Sequence, residues 1–152
     1  MTNHVAVDPG ASGGVCLSLA TEMYAQGMPK DSIELRDMFE CRKTLVIERV
    51  PRFVPMGGGK GIPGAKASVL FENYGFIKGL ATGLGLVVEE VTPQQWQKDL
   101  GLGNSRGMTK TQWKNKLKAK AQELFPDVKV TLKTADALLI WEWYRRQTSN
   151  TP

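Results

Sequence analysis

With 152 residues, 41% of them apolar and 23% charged, the chain reads as one soluble domain over residues 1–152 with a proper core. Two cysteines and a single histidine exclude a disulfide scaffold and a zinc cluster, and point to a reducing cytoplasm. No apolar run nears the roughly 18 residues of a membrane span, no signal-peptide pattern opens the chain, and a net charge of +5 favours an anionic partner.

The first element is HVAVDPGASGG, His4–Gly14. Val5 and Val7 alternate with Ala6 as in a buried strand, and Pro9, Gly10, Gly13 and Gly14 break it before Val15–Leu19 returns as its partner. Asp8 thus ends a strand beside small residues, where it either holds a cation or phosphate or caps its own turn. Glu22–Met28 predicts a third antiparallel strand, and Ser32 opens a short amphipathic segment over Ile33–Cys41. Thr44–Val50, TLVIERV, is the strongest strand signal; its continuous apolar run implies burial on both faces, with Glu48 at its end.

Val54–Ala65, VPMGGGKGIPGA, holds five glycines beside Lys60 and Lys66. It lacks the G-K-[ST] of a nucleotide P-loop and reads either as a loop ordered by a ligand or as a plain connection. Lys66–Leu84 has helical period, with Leu70, Tyr74, Ile77, Ala81 and Leu84 on one stripe. Gly75, Gly79 and Gly83 form a second line. Each glycine costs about 1 kcal/mol against alanine in a helix interior, so the line implies close approach of another helix or tight core packing. Leu86–Val91 reads as a further buried strand, and Thr92-Pro93 starts a short helix that Gly101 and Gly103 stop.

Thr109 and Gln112 have the spacing of a capping box and open a helix over Thr109–Leu124. Its apolar line is Trp113, Leu117, Ala121 and Leu124, beside a row of Lys110, Lys114 and Lys118. Residues 106–133 carry eight basic and two acidic residues, and no acid follows these lysines before Glu123. The row therefore points to phosphate contact rather than a solvated face, with nucleic acid the first partner to expect. Thr134–Arg146, TADALLIWEWYRR, is a last helix, apolar enough to be buried against the sheet. Asp136 in its first turn is placed either as a cap or as a ligand.

Asp8 and Glu48 end two strands, and Asp136 begins a buried helix. If those elements are neighbours, three carboxylates converge, and such a cluster implies a hard cation such as Mg²⁺. Two such ions about 4 Å apart can activate water and stabilise the leaving oxygen of a phosphodiester.

The segments AVDPGASGGV, LVIERV, NYGFIKGL, EEVTPQQWQKDLGL and TADALLIWEWYRR, in that order, resemble the motifs of RuvC-type Holliday junction resolvases, closest to short phage and bacterial members. The resemblance spans roughly residues 4–146. It implies an α/β, RNase H-like fold, a mixed five-stranded sheet with three antiparallel strands first, flanked by helices. It implies a homodimer that nicks four-way DNA junctions symmetrically with Mg²⁺, or Mn²⁺ in its place. Asp8, Glu48 and Asp136 match the family's catalytic, metal-ligating acids. The family's further acid, three or four positions before the last, is here Leu132 or Lys133. Another residue then supplies the missing ligand, or Lys133 places positive charge near the scissile phosphate, or catalysis is weak. Arg52 and Phe53 lie where the family inserts a residue into the junction, and Lys60 joins the DNA-binding set. A junction-binding protein with little nuclease activity is the alternative. An actin-like sugar-kinase fragment also starts with D-x-G, but its two-domain fold needs a longer chain.

Overall fold

A computed structural model describes residues 3–51 and 64–150. Five strands, β1 (His4–Val7), β2 (Gly14–Ser18), β3 (Met23–Gly27), β4 (Thr44–Glu48) and β5 (Val87–Val91), form one sheet in the order β3-β2-β1-β4-β5. β1, β2 and β3 are antiparallel neighbours, while β4 runs parallel to both β1 and β5. This is the sheet expected from the sequence, with the three antiparallel strands first. Among the described residues no helix is long and apolar enough to cross a membrane.

Side chains alternate between the two faces of a strand, and this period of two divides the core. Val5, Val7, Val15, Leu17, Leu45 and Ile47 face helices α1 (Ser32–Phe39) and α2 (Gly64–Gly83), meeting Leu35, Phe39, Ile77 and Ala81. Ala6, Cys16 and Val46 face α3 (Pro93–Asp99), α4 (Lys110–Leu124) and α5 (Ala135–Ser149). Fully burying one Leu, Ile or Phe side chain contributes about 1.5–3 kcal/mol, so both faces are needed to offset the entropy of ordering the chain. α5 lies across β1, β2 and β4. Its run from Ala135 to Glu142 is buried all round, which is why the sequence there is apolar without amphipathic period.

His4 is buried on the α5 face, its ring 4.7 Å from that of Trp141 and 4.8 Å from that of Tyr144. Burial lowers its pKa to about 4; the Trp141 carbonyl, 3.1 Å from Nε2, opposes that shift, and the Arg42 charge adds to it. The only histidine is therefore a neutral core group.

Two expectations are corrected. Leu86–Val91 is not a buried strand: β5 closes the sheet at its edge, with Val87 59% exposed and Glu89 and Glu90 facing solvent. The glycine line of α2 is not packed against any other described residue of the same chain either. A Cβ at Gly75, Gly79 or Gly83 would meet nothing within 4 Å, so no element of the described chain approaches that face.

Candidate active site

The alternation that divides the core also aims the acids. Ala6 and Val46 are paired in the parallel register and face α5. Two residues further on, at the C-terminal ends of the same strands, Asp8 and Glu48 continue that parity toward the start of α5. Asp136 stands in the first turn of that helix.

Glycines bring these ends close. A Cβ on Gly13 would lie 2.2 Å from the Asp8 carbonyl oxygen and 2.8 Å from its carboxyl carbon. On Gly14 it would lie 2.5 Å from the Lys133 carbonyl oxygen. The first hairpin can therefore fold over Asp8, and the turn before α5 can settle on β2, only because both positions lack a side chain. That turn is fastened by the hydroxyl of Thr134, which accepts the Thr131 N–H at 2.9 Å. Asp136 is left out of any capping role. Its Oδ2 accepts from Lys114 Nζ at 2.7 Å, and its Oδ1 is buried with no hydrogen-bond partner among the described residues.

Glu48 is held from another direction. Trp96 of α3, fully buried, donates its indole N–H to Glu48 Oε2 at 2.9 Å. α3 is placed for this by its N-cap, the Thr92 hydroxyl accepting the Gln95 N–H at 3.2 Å, and by Pro93 in its first turn. Asp8 receives a long contact of 3.4 Å from the Gly10 N–H.

The carboxylates sense one another. Burial, joined by the charge of Asp136, pushes Asp8 up to about 6, against the opposing pull of Lys114 and the Gly10 N–H. Burial and then the Asp8 charge push Glu48 up to about 8, even though the Trp96 hydrogen bond and Lys114 work the other way. Burial disfavours the Lys114 ammonium, but Asp136, Asp8 and Glu48 outweigh it and raise its pKa. Among the described residues one ammonium, that of Lys114, faces three acids, so ionising all of them leaves an excess of negative charge.

Among the described residues no group of three or more His, Cys, Asp or Glu side chains stands ready-made for a metal ion. Two of the three acids are instead engaged by protein partners, Lys114 and Trp96. The donor chemistry nonetheless fits a hard divalent cation. The side chains offer carboxylate oxygen only, and one oxygen is buried without a partner. Asp8 is raised by burial and by the Asp136 charge, and Glu48 by burial and by the charges of Asp8 and Asp136, a state that a bound cation would relieve.

The other candidate residues fall at different distances from this cluster. Lys133 is exposed; its Cδ lies where it would be 3.2 Å from a Cβ on Gly27, so its stem runs over the β2–β3 edge beside the Asp8 hairpin. Leu132 is 51% exposed. Lys110 is exposed and Lys118 half-buried on α4, neither in an ion pair among the described residues. The lysine row has an acid nearby after all, since Lys114 reaches Asp136, 22 residues away in sequence. Arg52, Phe53 and Lys60 lie outside the described residues. Trp96 is a site residue that sequence reasoning misses, because no periodic signal links it to Glu48.

No family model matches the chain, and no curated protein matches its sequence. Solved structures do match in shape. Thermus thermophilus RuvC is similar at 14% identity, with a TM-score of 0.54 and 95% of this chain aligned to 96% of that one. T. thermophilus RuvC in complex with Holliday junction substrate is similar at 12% identity, with a TM-score of 0.58 and the same coverage of 95% and 96%. At these identities the likeness is one of fold: the chain has the RNase H-like fold of RuvC.

Proposed function

We infer that the chain is a metal-dependent endonuclease that resolves four-way DNA junctions by paired nicking. The observation that carries this reading is the convergence of Asp8, Glu48 and Asp136, from two strand ends and a helix start, into one electrostatically coupled cluster. The RNase H-like fold shared with a RuvC bound to a Holliday junction supports it. Mg²⁺ or Mn²⁺ held by Asp8, Glu48 and Asp136 would supply positive charge against the negative charge that develops as a phosphodiester is cleaved. The protein's own part is positional. Trp96 fixes Glu48, the Gly13–Gly14 turn fixes Asp8, and the Thr131–Thr134 turn fixes the start of α5. Nicking of a synthetic four-way junction in Mg²⁺, against the same reaction in EDTA, tests the reading. Binding without nicking in either would leave a junction-binding protein of the same fold. Leu132 and Lys133, standing where the resembling family carries a further acid, favour that second reading.

The basic face of α4 supplies the affinity. Lys110→Ala combined with Lys118→Ala should weaken junction binding and flatten the log Kd against log salt plot by about two units, one for each phosphate no longer neutralised. An unchanged slope in fluorescence anisotropy would remove both residues from the interface.

Paired nicking needs two active sites related by a two-fold axis, and a C₂ homodimer supplies them with one self-complementary patch. The open glycine line of α2, flanked by Val69 at 57% and Phe76 at 46% exposure, is the surface proposed for it. Because nothing among the described residues meets a Cβ at Gly79, Gly79→Leu should fold at least as well as wild type and still run as a monomer in light scattering. A dimeric Gly79→Leu protein would place the interface elsewhere.

A further inference from the structure

The charge balance of the cluster is set by a residue from α4. Where the resembling family places a fourth acid, this chain has Leu132, half-exposed, and Lys133, its stem laid over Gly27. The group that enters the cluster instead is a cation. Lys114 reaches in from α4 on a flexible stem and donates to Asp136 Oδ2 at 2.7 Å, with 38% of its side chain still exposed. Asp136 itself is 8% exposed. Once all three acids are ionised, as ligands to a cation must be, the three carboxylates and the one ammonium among the described residues leave two negative charges, which one divalent ion balances. A second ion would have to share Asp136 with a lysine already bound to it, leaving the buried cluster with uncompensated positive charge.

We propose that Lys114 is a resident cation of the site, holding Asp136 Oδ2 in the place of a second metal ion, so that the DNA-free chain takes one divalent ion rather than two. The inference rests on the metal-dependent reading above. Asp136 Oδ1, Asp8 and the Glu48 oxygen not bonded to Trp96 remain as donors for that ion. Lys114 is a positioning residue: it acts through Asp136 and sets how many ions the acids accept and how tightly.

The test is a titration of the full-length, DNA-free protein with Mn²⁺, free ion read by electron paramagnetic resonance. Wild type should bind one ion per chain. Lys114→Gln removes a like charge from beside the ion and should tighten binding by about tenfold or more, or admit a second ion. Lys114→Arg keeps the charge and should match wild type in both number and affinity. Circular dichroism melts confirm that each variant is folded. Two ions bound to wild type would overturn the inference while leaving the nuclease reading intact. So would a folded Lys114→Gln protein with wild-type affinity and one ion. No saturable Mn²⁺ binding to wild type, and none to Lys114→Gln, would overturn the metal-dependent reading itself.

Discussion

Asp8→Asn should nick a four-way junction about 10³-fold more slowly than wild type while binding it with nearly unchanged affinity. An amide keeps the shape of the carboxylate and can still accept the Gly10 N–H, so the hairpin over Asp8 is not disturbed. It loses the negative charge that makes the group a ligand for a hard cation. A metal ion contributes several kcal/mol of transition-state stabilisation in such chemistry, and about 4 kcal/mol corresponds to the stated loss. Junction affinity is set by phosphate contacts, which Asp8 does not supply, and removing a negative charge there should if anything strengthen it. Gel-based single-turnover nicking beside anisotropy measurements separates the two quantities. Cleavage within tenfold of wild type would take Asp8 out of the reacting centre. A fall in binding that matches the fall in nicking would make its role structural.

The parts of this fold that the sequence disclosed are those written in local period or chemistry. Val5, Ala6 and Val7 alternate between two cores, and the same alternation carries Asp8 to the α5 face. The capping box of α4 is formed as its spacing required, Thr109 accepting the Gln112 N–H at 3.1 Å and the Gln112 side chain accepting the Thr109 N–H at 2.9 Å. What the sequence could not disclose depends on tertiary order. The β-rich run before Val91 looks the same whether its strand is central or at an edge; strand order put it at the edge. Gly13 and Gly14 read as turn residues, but they are needed because Asp8 and the Lys133 carbonyl approach too closely for a side chain. The partners of two of the acids are separated from them by 48 and 22 residues. Lys114 is visible in the sequence as a member of a basic row, but nothing in a helical row says which member turns inward to an acid on another helix.

Glu48→Gln should raise the melting temperature of the metal-free protein at pH 8 by about 5 °C, and abolish most of its dependence on pH between 6.5 and 8.5. In the folded chain Glu48 is pushed up to about 8 from an ordinary value of 4.5. Folding at neutral pH therefore takes up a proton, and the stability this group contributes is complete below about 4.5 and lost as pH rises through 8. One pKa unit corresponds to about 1.4 kcal/mol, and allowing for the partly exposed carboxyl the loss across the whole range is on the order of 2 kcal/mol. For a chain of this size each kcal/mol moves the midpoint by about 2–4 °C. Asp8, raised to about 6, acts in the same direction but has finished titrating by pH 7. His4, lowered to about 4, acts in the opposite sense, its contribution being lost as pH falls from about 6.5. The slope between 6.5 and 8.5 thus belongs chiefly to Glu48. Glutamine removes the charge, and its carbonyl can still accept the Trp96 N–H, so the packing of α3 is kept. Added Mg²⁺ should reverse the ranking: it stabilises wild type by binding only the folded chain, and does less for a variant that has lost one ligand. Scanning calorimetry with EDTA and with millimolar Mg²⁺ gives all four midpoints. A flat wild-type profile from pH 6.5 to 8.5, or a Glu48→Gln protein that melts below wild type without metal, would show that Glu48 is not held in a charge-poor site.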